Sequence, residues 1–216
     1  MKKFITAKEA SEFIKSNSSV MIGGFLDCGV PDKIIDEIVK TDVSNLTMIC
    51  NDTSRPGNDR SKLIESNQVK KIITTHIGTN PITGQKLLNK EIEVNIVPMG
   101  TLIEKIRAYG AGLGGILTPT GVGTILEENK TTQVVNGKKY IFEEPLGADV
   151  AIIYGTTADK FGNVSYYGST RNFNPTMATA AKTVICQVDE IIDCMDPNAV
   201  VIPGIFIDYI VKREEN

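Results

Sequence analysis

Short β-branched runs and amphipathic stretches take turns along almost the whole chain. Residues 19–22, 46–49, 71–75, 94–97, 150–153 and 183–185 read as strands. Between them the spacing of apolar positions predicts helices over 31–39, 62–66, 83–88, 101–109 and 175–181. Such alternation predicts an α/β fold, an open, mainly parallel sheet with helices on both faces. One segment departs from it. Residues 132–135 and 138–142 flank Asn136-Gly137, which supplies the positive φ angles of a type I′ turn, so a β-hairpin is expected beside the glycine-rich stretch 110–124. With no fixed-period repeat, low-complexity tract or linker, residues 1–216 read as a single domain.

Composition narrows the function classes. Hydrophobic residues make up 41% and charged residues 23%, which sets general disorder aside. Basic residues number 23 against 26 acidic ones, so no positive excess offers itself to nucleic acid or anionic lipid. The start, MKKFITAKEASEF, lacks the apolar stretch of a secretory signal. The longest uncharged run, 108–126, holds six glycines and Pro119, too broken for a membrane helix. A soluble, cytoplasmic protein is expected. Cys28, Cys50, Cys186 and Cys194 form no CxxC pair and the only histidine is His76. Reduced, buried thiols are expected, with no metal site, and a Ser-His-Asp scheme would rest on His76 alone.

Four places could carry chemistry. Gly23-Gly24-Phe25-Leu26-Asp27-Cys28-Gly29 joins a strand to a helix opened by Pro31 in its first position, a corner where backbone N–H groups and a helix start can meet an anion; it serves equally well as a tight turn. It is not GxGxxG, and Asp27 sets a negative charge in it. Asn51-Asp52-Thr53 follows a strand on the edge where open α/β sheets bind ligands; Asn51 can donate to an oxyanion, and Asp52 is expected to fix the loop. Met99-Gly100 precedes Thr101 and Glu104, spaced as a capping box. In Thr170-Arg171-Asn172-Phe173-Asn174-Pro175, Asn174 reads as an N-cap, while Arg171 suits a phosphate or carboxylate as well as a surface ion pair. The paired acids Glu127/Glu128 and Glu143/Glu144 flank the hairpin and read as solvated charges. No nucleophile stands out.

Together these motifs resemble a known family. MIGGFLDCGVP resembles the first signature of the family I coenzyme A transferases, and NDT, PMGTLIEKIRAYGAGLGG, LTPTGVGT, ADKFGNVSY and RNFNP follow in that family's order, from about residue 5 to 209. The chain is similar to the A (alpha) subunits of short-chain enzymes of the butyrate–acetoacetate or acetate–acetoacetate type. The resemblance implies a fold of the sugar-phosphate isomerase/CoA transferase kind and a partner B (beta) subunit in an α2β2 assembly. It implies ping-pong transfer through an acyl-glutamyl anhydride and a glutamyl-CoA thioester, with the attacking glutamate on the B subunit and no catalytic residue in this chain. Coenzyme A enters as a thioester substrate, and no other cofactor is implied. By motif, Gly23, Gly24, Phe25, Leu26, Asp27, Cys28 and Gly29 form the CoA-binding loop and Asn51 faces the oxyanion. Met99 stands where the family commonly has glutamine and cannot donate to an acyl oxygen. Tyr109 replaces a usual glycine and is expected to narrow the cleft. Other readings stay open. An NAD oxidoreductase would need the missing GxGxxG turn, a sugar-phosphate isomerase would work without a B subunit, and a non-catalytic nucleotide-binding module would transfer nothing.

Overall fold

In the computed structural model, which describes residues 3–214, the strand-forming runs assemble into two sheets. Met1 and Lys2, part of the expected leaderless start, and Glu215 and Asn216, part of the expected single domain, lie outside the described residues. In chain order the strands are β1 (Lys3–Ile5), β2 (Ser19–Ile22), β3 (Leu46–Cys50), β4 (Val69–Thr74), β5 (Glu93–Ile96), β6 (Ile116–Thr118), β7 (Thr132–Val135), β8 (Lys138–Glu143), β9 (Ala148–Asp159), β10 (Val164–Ser165), β11 (Ala181–Ile192) and β12 (Tyr209–Lys212). The main sheet runs β1-β12-β11-β9-β2-β3-β4-β5 with every neighbour parallel, and β10 adds an antiparallel stub to β9. From β2 the chain winds outward through β3 and β4 to β5, then returns to the opposite side of β2 with β9 and winds outward again. Winding therefore reverses between β2 and β9. At such a point the loops leaving the strands diverge and open a crevice at their carboxyl ends.

The helices are α1 (Ala7–Ser11), α2 (Asp32–Val39), α3 (Asp59–Glu65), α4 (Pro81–Leu88), α5 (Met99–Gly110) and α6 (Asn174–Met177). Strand alternation divides the core into two layers. Val20, Ile22 and Ile152 face Ile34, Ile35 and Ile38 of α2 and Leu63 and Ile64 of α3. Met21, Ile49 and Ile153 face Leu102 and Ile106 of α5 and Met177 of α6 on the other side. Each fully buried isoleucine of α2 contributes about 2 kcal/mol by leaving water. The predicted open, mainly parallel α/β sheet with a hairpin is what the chain forms. Among the described residues no helix is long and apolar enough to cross a membrane.

Several details differ from the sequence reading. β9 and β11 each run 12 residues and pair from Ala148↔Ala181 to Asp159↔Ile192. The reading stops at 153 and 185, where Thr156, Gln187 and Asp189 interrupt the apolar pattern while the backbone ladder continues. Because Ala181 already belongs to β11, α6 ends at Met177. Pro31 is the N-cap of α2 and not its first helical residue. Helix α5 begins at Met99, so Thr101 lies inside the first turn, buried, its hydroxyl without a partner, and Glu104 pairs with Arg107. The capping box is at α1, where Glu9 N–H donates to Thr6 Oγ1 at 3.1 Å and Thr6 N–H to Glu9 at 2.8 Å.

The hairpin is formed by β7 and β8 around Asn136 (φ 50°) and Gly137 (φ 75°), and β6, from the glycine-rich stretch, pairs with β8. Glu143 is not the solvated charge expected. It is buried and accepts from Lys105 at 2.9 Å and from Lys130, which tacks this small sheet onto α5. Burial alone would raise its pKa, but the two ammonium groups outweigh burial and hold the carboxyl below its ordinary value. Cys50 and Cys186 are buried thiols, whereas Cys28 is half-buried and Cys194 exposed, so burial holds for two of the four.

Candidate active site

The loop after β2 lies in the crevice and is fixed from three directions. Gly23 N–H continues the ladder by donating to Ile152 carbonyl at 3.0 Å. Phe25 and Cys28 exchange two backbone bonds of 3.0 Å around a tight reversal, in which Leu26 holds φ at 47°, a conformation unfavourable for a leucine. Leu26 is held there by Asp52, whose Oδ2 accepts its N–H at 2.9 Å. Arg60, on α3 and wholly buried, completes the clamp. Its guanidinium donates to Gly23 carbonyl (2.9 Å), Leu26 carbonyl (2.9 Å), Asp52 carbonyl (3.0 Å) and Asp52 Oδ1 (2.9 Å). Asp52 Oδ1 also accepts Ser54 N–H at 2.8 Å.

The third side comes from the RNFNP motif. Asn172 accepts Gly24 N–H at 3.2 Å and donates to Cys28 carbonyl at 3.1 Å. Asn174 accepts Tyr154 N–H at 3.0 Å and donates to Gly29 carbonyl at 3.0 Å. It is a cross-link, not the helix cap the sequence suggests. Its Oδ1 would lie 1.7 Å from a Cβ at position 23, so only glycine fits there. The expectation of an anion at the helix start is also corrected. Gln187 Oε1 accepts the N–H groups of Lys33 (3.0 Å) and Ile34 (3.2 Å), which occupies the start of α2, while Gln187 Nε2 donates to Asp32 at 2.7 Å. The amides of Gly23, Gly24, Phe25, Leu26 and Cys28 are likewise bonded within the protein, so the corner is a rigid wall.

Beside that wall lies a cavity of about 340 Å³ at the carboxyl ends of the central strands, lined by Phe25, Leu26, Asn51, Asp52, Thr75, His76, Thr79 and Met99. Asn51 is 2% exposed, and its amide nitrogen has no hydrogen-bond partner. A buried donor left unpaired costs about 1–3 kcal/mol, so its retention beside a cavity marks a place where an acceptor is expected to bind. Its backbone carbonyl is committed, accepting from Thr75 N–H at 2.9 Å and from the hydroxyls of Thr74 and Thr75. The only acid in the lining is Asp52, and its charge is neutralised by Arg60.

The profile of the coenzyme A transferases matches residues 4–213. The chain belongs to the coenzyme A transferase family. It is 50% identical to the acetoacetyl-CoA:acetate/butyrate CoA transferase alpha subunit of Clostridium acetobutylicum, over 98% of each chain. Identity is 42% to the acetate CoA-transferase subunit alpha of Escherichia coli K12, over 99% of this chain and 98% of the relative. Its fold matches an acyl-CoA transferase (YdiF) of Escherichia coli O157:H7, in a thioester complex with CoA, at a TM-score of 0.88 and 21% identity. That match takes in 98% of this chain, which spans about half the length of the other (47%).

Of the site residues singled out in this coenzyme A transferase chain, Phe25, Leu26, Asn51 and Met99 line one cavity, while Gly23, Gly24, Asp27, Cys28 and Gly29 are not part of its lining. Gly23, Gly24 and Gly29 are buried; Asp27 is exposed, with Arg55 Nη1 3.5 Å from its carboxylate. Asp52 fixes the loop, as expected. Tyr109 does not narrow the cleft. It sits at the far end of α5, about 15 Å along the helix from Met99, packed where Gly147 leaves room for its ring. Arg171 is exposed and faces a separate surface cleft with Arg107. Two residues were not singled out as site residues from the sequence, although His76 was noted there as the only histidine. His76 stands just past the carboxyl end of β4, level with Asp52 after β3. Arg60 shares the buried face of α3 with Leu63 and Ile64, and its partners Gly23 and Leu26 lie far away in sequence.

Proposed function

We propose that this chain is the A subunit of a short-chain acyl-CoA:carboxylate CoA-transferase of the acetoacetate/butyrate type, acting in the cytoplasm in an α2β2 assembly. Its part is to shape the CoA and acyl site, while a B subunit brings the nucleophilic glutamate. The observation that carries the reading is the cavity itself. It presents an unpartnered buried amide, Asn51, and its sole carboxylate is locked to Arg60, so it can stabilise a reacting carbonyl but cannot attack one. The likeness to alpha subunits over nearly the whole of both chains supports the same division.

In the proposed cycle a glutamate oxygen of the B subunit attacks the acyl-CoA thioester carbon. The C–S bond breaks, the electron pair leaves on CoA sulfur, and an acyl-glutamyl anhydride forms. The thiolate then attacks the glutamyl carbon of the anhydride, which releases the first carboxylate and leaves a glutamyl-CoA thioester. The second carboxylate runs the two steps in reverse. Each tetrahedral intermediate carries an oxyanion, and the Asn51 amide is the donor assigned to it. Phe25, Leu26 and Met99 give the thioester arm and acyl chain an apolar wall. With the amides of Gly23, Gly24, Phe25, Leu26 and Cys28 already bonded, Phe25 and Leu26 are the loop residues that face the cavity for CoA contact.

The test is to purify the chain alone and with its neighbouring-gene product, add acyl-CoA, and map any covalent acyl or CoA adduct by mass spectrometry. Transfer only in the complex, with the adduct on the added subunit, is expected. Activity of the chain alone, or an adduct on one of its own glutamates, overturns the proposal. Asn51→Ala in the complex is expected to lower kcat by about a hundredfold.

A further inference from the structure

Among the side chains lining the cavity, most hydrogen-bonding groups are already committed. Asp52 is held by Arg60, Leu26 N–H and Ser54 N–H. The Thr75 hydroxyl donates to Asn51 carbonyl at 2.8 Å, and the Thr79 hydroxyl to Ser54 carbonyl at 3.3 Å. Two donors are left over, the Asn51 amide and the imidazole of His76, which makes no hydrogen bond or ion pair among the described residues. His76 is exposed, and its ring lies over Gly78, where a Cβ would come within 2.9 Å of it. An imidazole carries at least one N–H in its neutral and protonated states alike, so it can always offer a donor to an oxygen.

The backbone brings the two residues to the ends of adjacent strands. Asp52 and His76 are paired in a parallel bridge, and Thr75 N–H donates to Asn51 carbonyl at 2.9 Å. Asn51 and His76 are therefore one step apart in register on adjacent chain segments about 5 Å apart. Both residues line the one cavity together with the apolar side chains of Phe25, Leu26 and Met99, a lining that suits a short acyl chain carrying one oxygen at its reacting carbon and a second a little way along.

We infer that His76 is the specificity-determining residue for that second oxygen, and that the acyl class it selects is the 3-oxo acid. Asn51 serves the oxygen on C1 and His76 donates to the oxygen on C3. This rests on the proposed transferase function and adds to it which side chain distinguishes a 3-oxo acid from a plain fatty acid. Met99 cannot make that contact, because a thioether has no proton to give.

The experiment uses the two-subunit complex and measures kcat/KM for acetoacetate and for butyrate as CoA acceptors. His76→Phe keeps a flat ring and removes the donor; His76→Gln restores an N–H at similar reach. For His76→Phe, kcat/KM for acetoacetate is expected to fall about tenfold, the worth of one hydrogen bond, with butyrate unchanged and KM for acyl-CoA unmoved. His76→Gln is expected to recover most of the loss. Butyrate is the internal control for folding and assembly, since a damaged enzyme loses both acids together. Equal loss of both acids, no change in their ratio, or no recovery with glutamine overturns the inference while leaving the transferase reading intact. A parent complex that transfers CoA to neither acid overturns that reading, and the inference with it.

Discussion

Arg60 offers the sharpest test of how this molecule is held together. Its buried guanidinium joins α3 to the loop after β2 and to Asp52 through four hydrogen bonds, two to each, one of them to a carboxylate. Arg60→Met keeps much of the side-chain volume but strands three carbonyl oxygens and the Asp52 charge. Counted singly, charge-assisted bonds of about 1.5–3 kcal/mol each would exceed the known cost of such losses, since water enters and the chain relaxes. Breaking a buried ion pair from one side costs about 3–5 kcal/mol, so about 4 kcal/mol is expected. For a chain of 216 residues that lowers Tm by roughly 8–16 °C. Asp52→Asn is expected to cost about 3 kcal/mol, because the amide cannot accept from Leu26, Ser54 and Arg60 together. The double variant is expected to fall short of the sum by about 2 kcal/mol, the coupling of contacting partners. Urea unfolding gives the four corners of the cycle, and hydrogen exchange at the Gly24 and Leu26 amides reports whether the loop opens first. A single variant within about 1 kcal/mol of the parent refutes the reasoning, since that is no more than an ordinary substitution costs. So does a large loss of stability that leaves those two amides as protected as before.

Three further outcomes follow from the same geometry. Gly23→Ala drives a methyl into Asn174 and is expected to cost about 3 kcal/mol; an equally stable protein with unchanged activity would show that the cross-link to Tyr154 and Gly29 is dispensable. Met99→Gln puts a second side-chain amide in the cavity wall in place of a thioether, and the acetoacetate-to-butyrate ratio of kcat/KM is expected to rise several-fold; an unchanged ratio rejects a role for Met99 in that preference. The Lys182 ammonium, then the Ser19 N–H and hydroxyl, hold the Asp149 carboxyl down to about 2. Its folded pKa thus lies below the unfolded value of about 3.9, so its contribution is complete above that pH and is lost as pH falls towards about 2. Because the group is partly exposed, Asp149→Asn is expected to cost about 1 kcal/mol at about pH 7 and only a small part of that at about pH 2; a gap of equal size at both pH values contradicts this.

What the sequence disclosed and what it concealed divide along one line. Runs whose chemistry is uniform, such as Ser19–Ile22 or Leu46–Cys50, announce themselves because burial on both faces demands apolar residues throughout. Asn136-Gly137 announces its turn because few pairs tolerate two positive φ angles. The outer halves of β9 and β11 were hidden, since their polar side chains find partners elsewhere, as Gln187 does at the start of α2. Asn51 was marked as a candidate by its place at a strand end, and Phe25, Leu26 and Met99 by the resemblance of their motifs to the coenzyme A transferases. Their shared cavity was not legible, because it depends on which strands are neighbours. Arg60 was the hardest to read. An arginine in a short helix normally means a solvated charge, and only the loop carbonyls it meets, 34 and 37 positions back in sequence, turn it into an interior clamp.

The same clamp bears on the chemistry proposed for the cavity. A carboxylate arriving from a B subunit must enter a space whose wall already contains Asp52. Left unpaired, that charge would oppose the newcomer by about 2–3 kcal/mol at roughly 6 Å and an effective dielectric constant of about 20, enough to slow attack roughly fifty-fold. Paired with Arg60, Asp52 makes the wall electrically neutral while its oxygens keep Leu26 in an unfavourable backbone conformation. One buried ion pair therefore performs two tasks that a hydrophobic replacement could not combine. It holds the corner rigid through backbone carbonyls, and it would keep the one acid of the cavity lining from repelling the carboxylates proposed to react there. A pair of apolar substitutions at 52 and 60 should thus leave the cavity uncharged yet slacken the loop, separating the electrostatic task from the mechanical one: activity retained with fast exchange at Leu26 would assign the dominant task to charge, and activity lost with that exchange would assign it to rigidity.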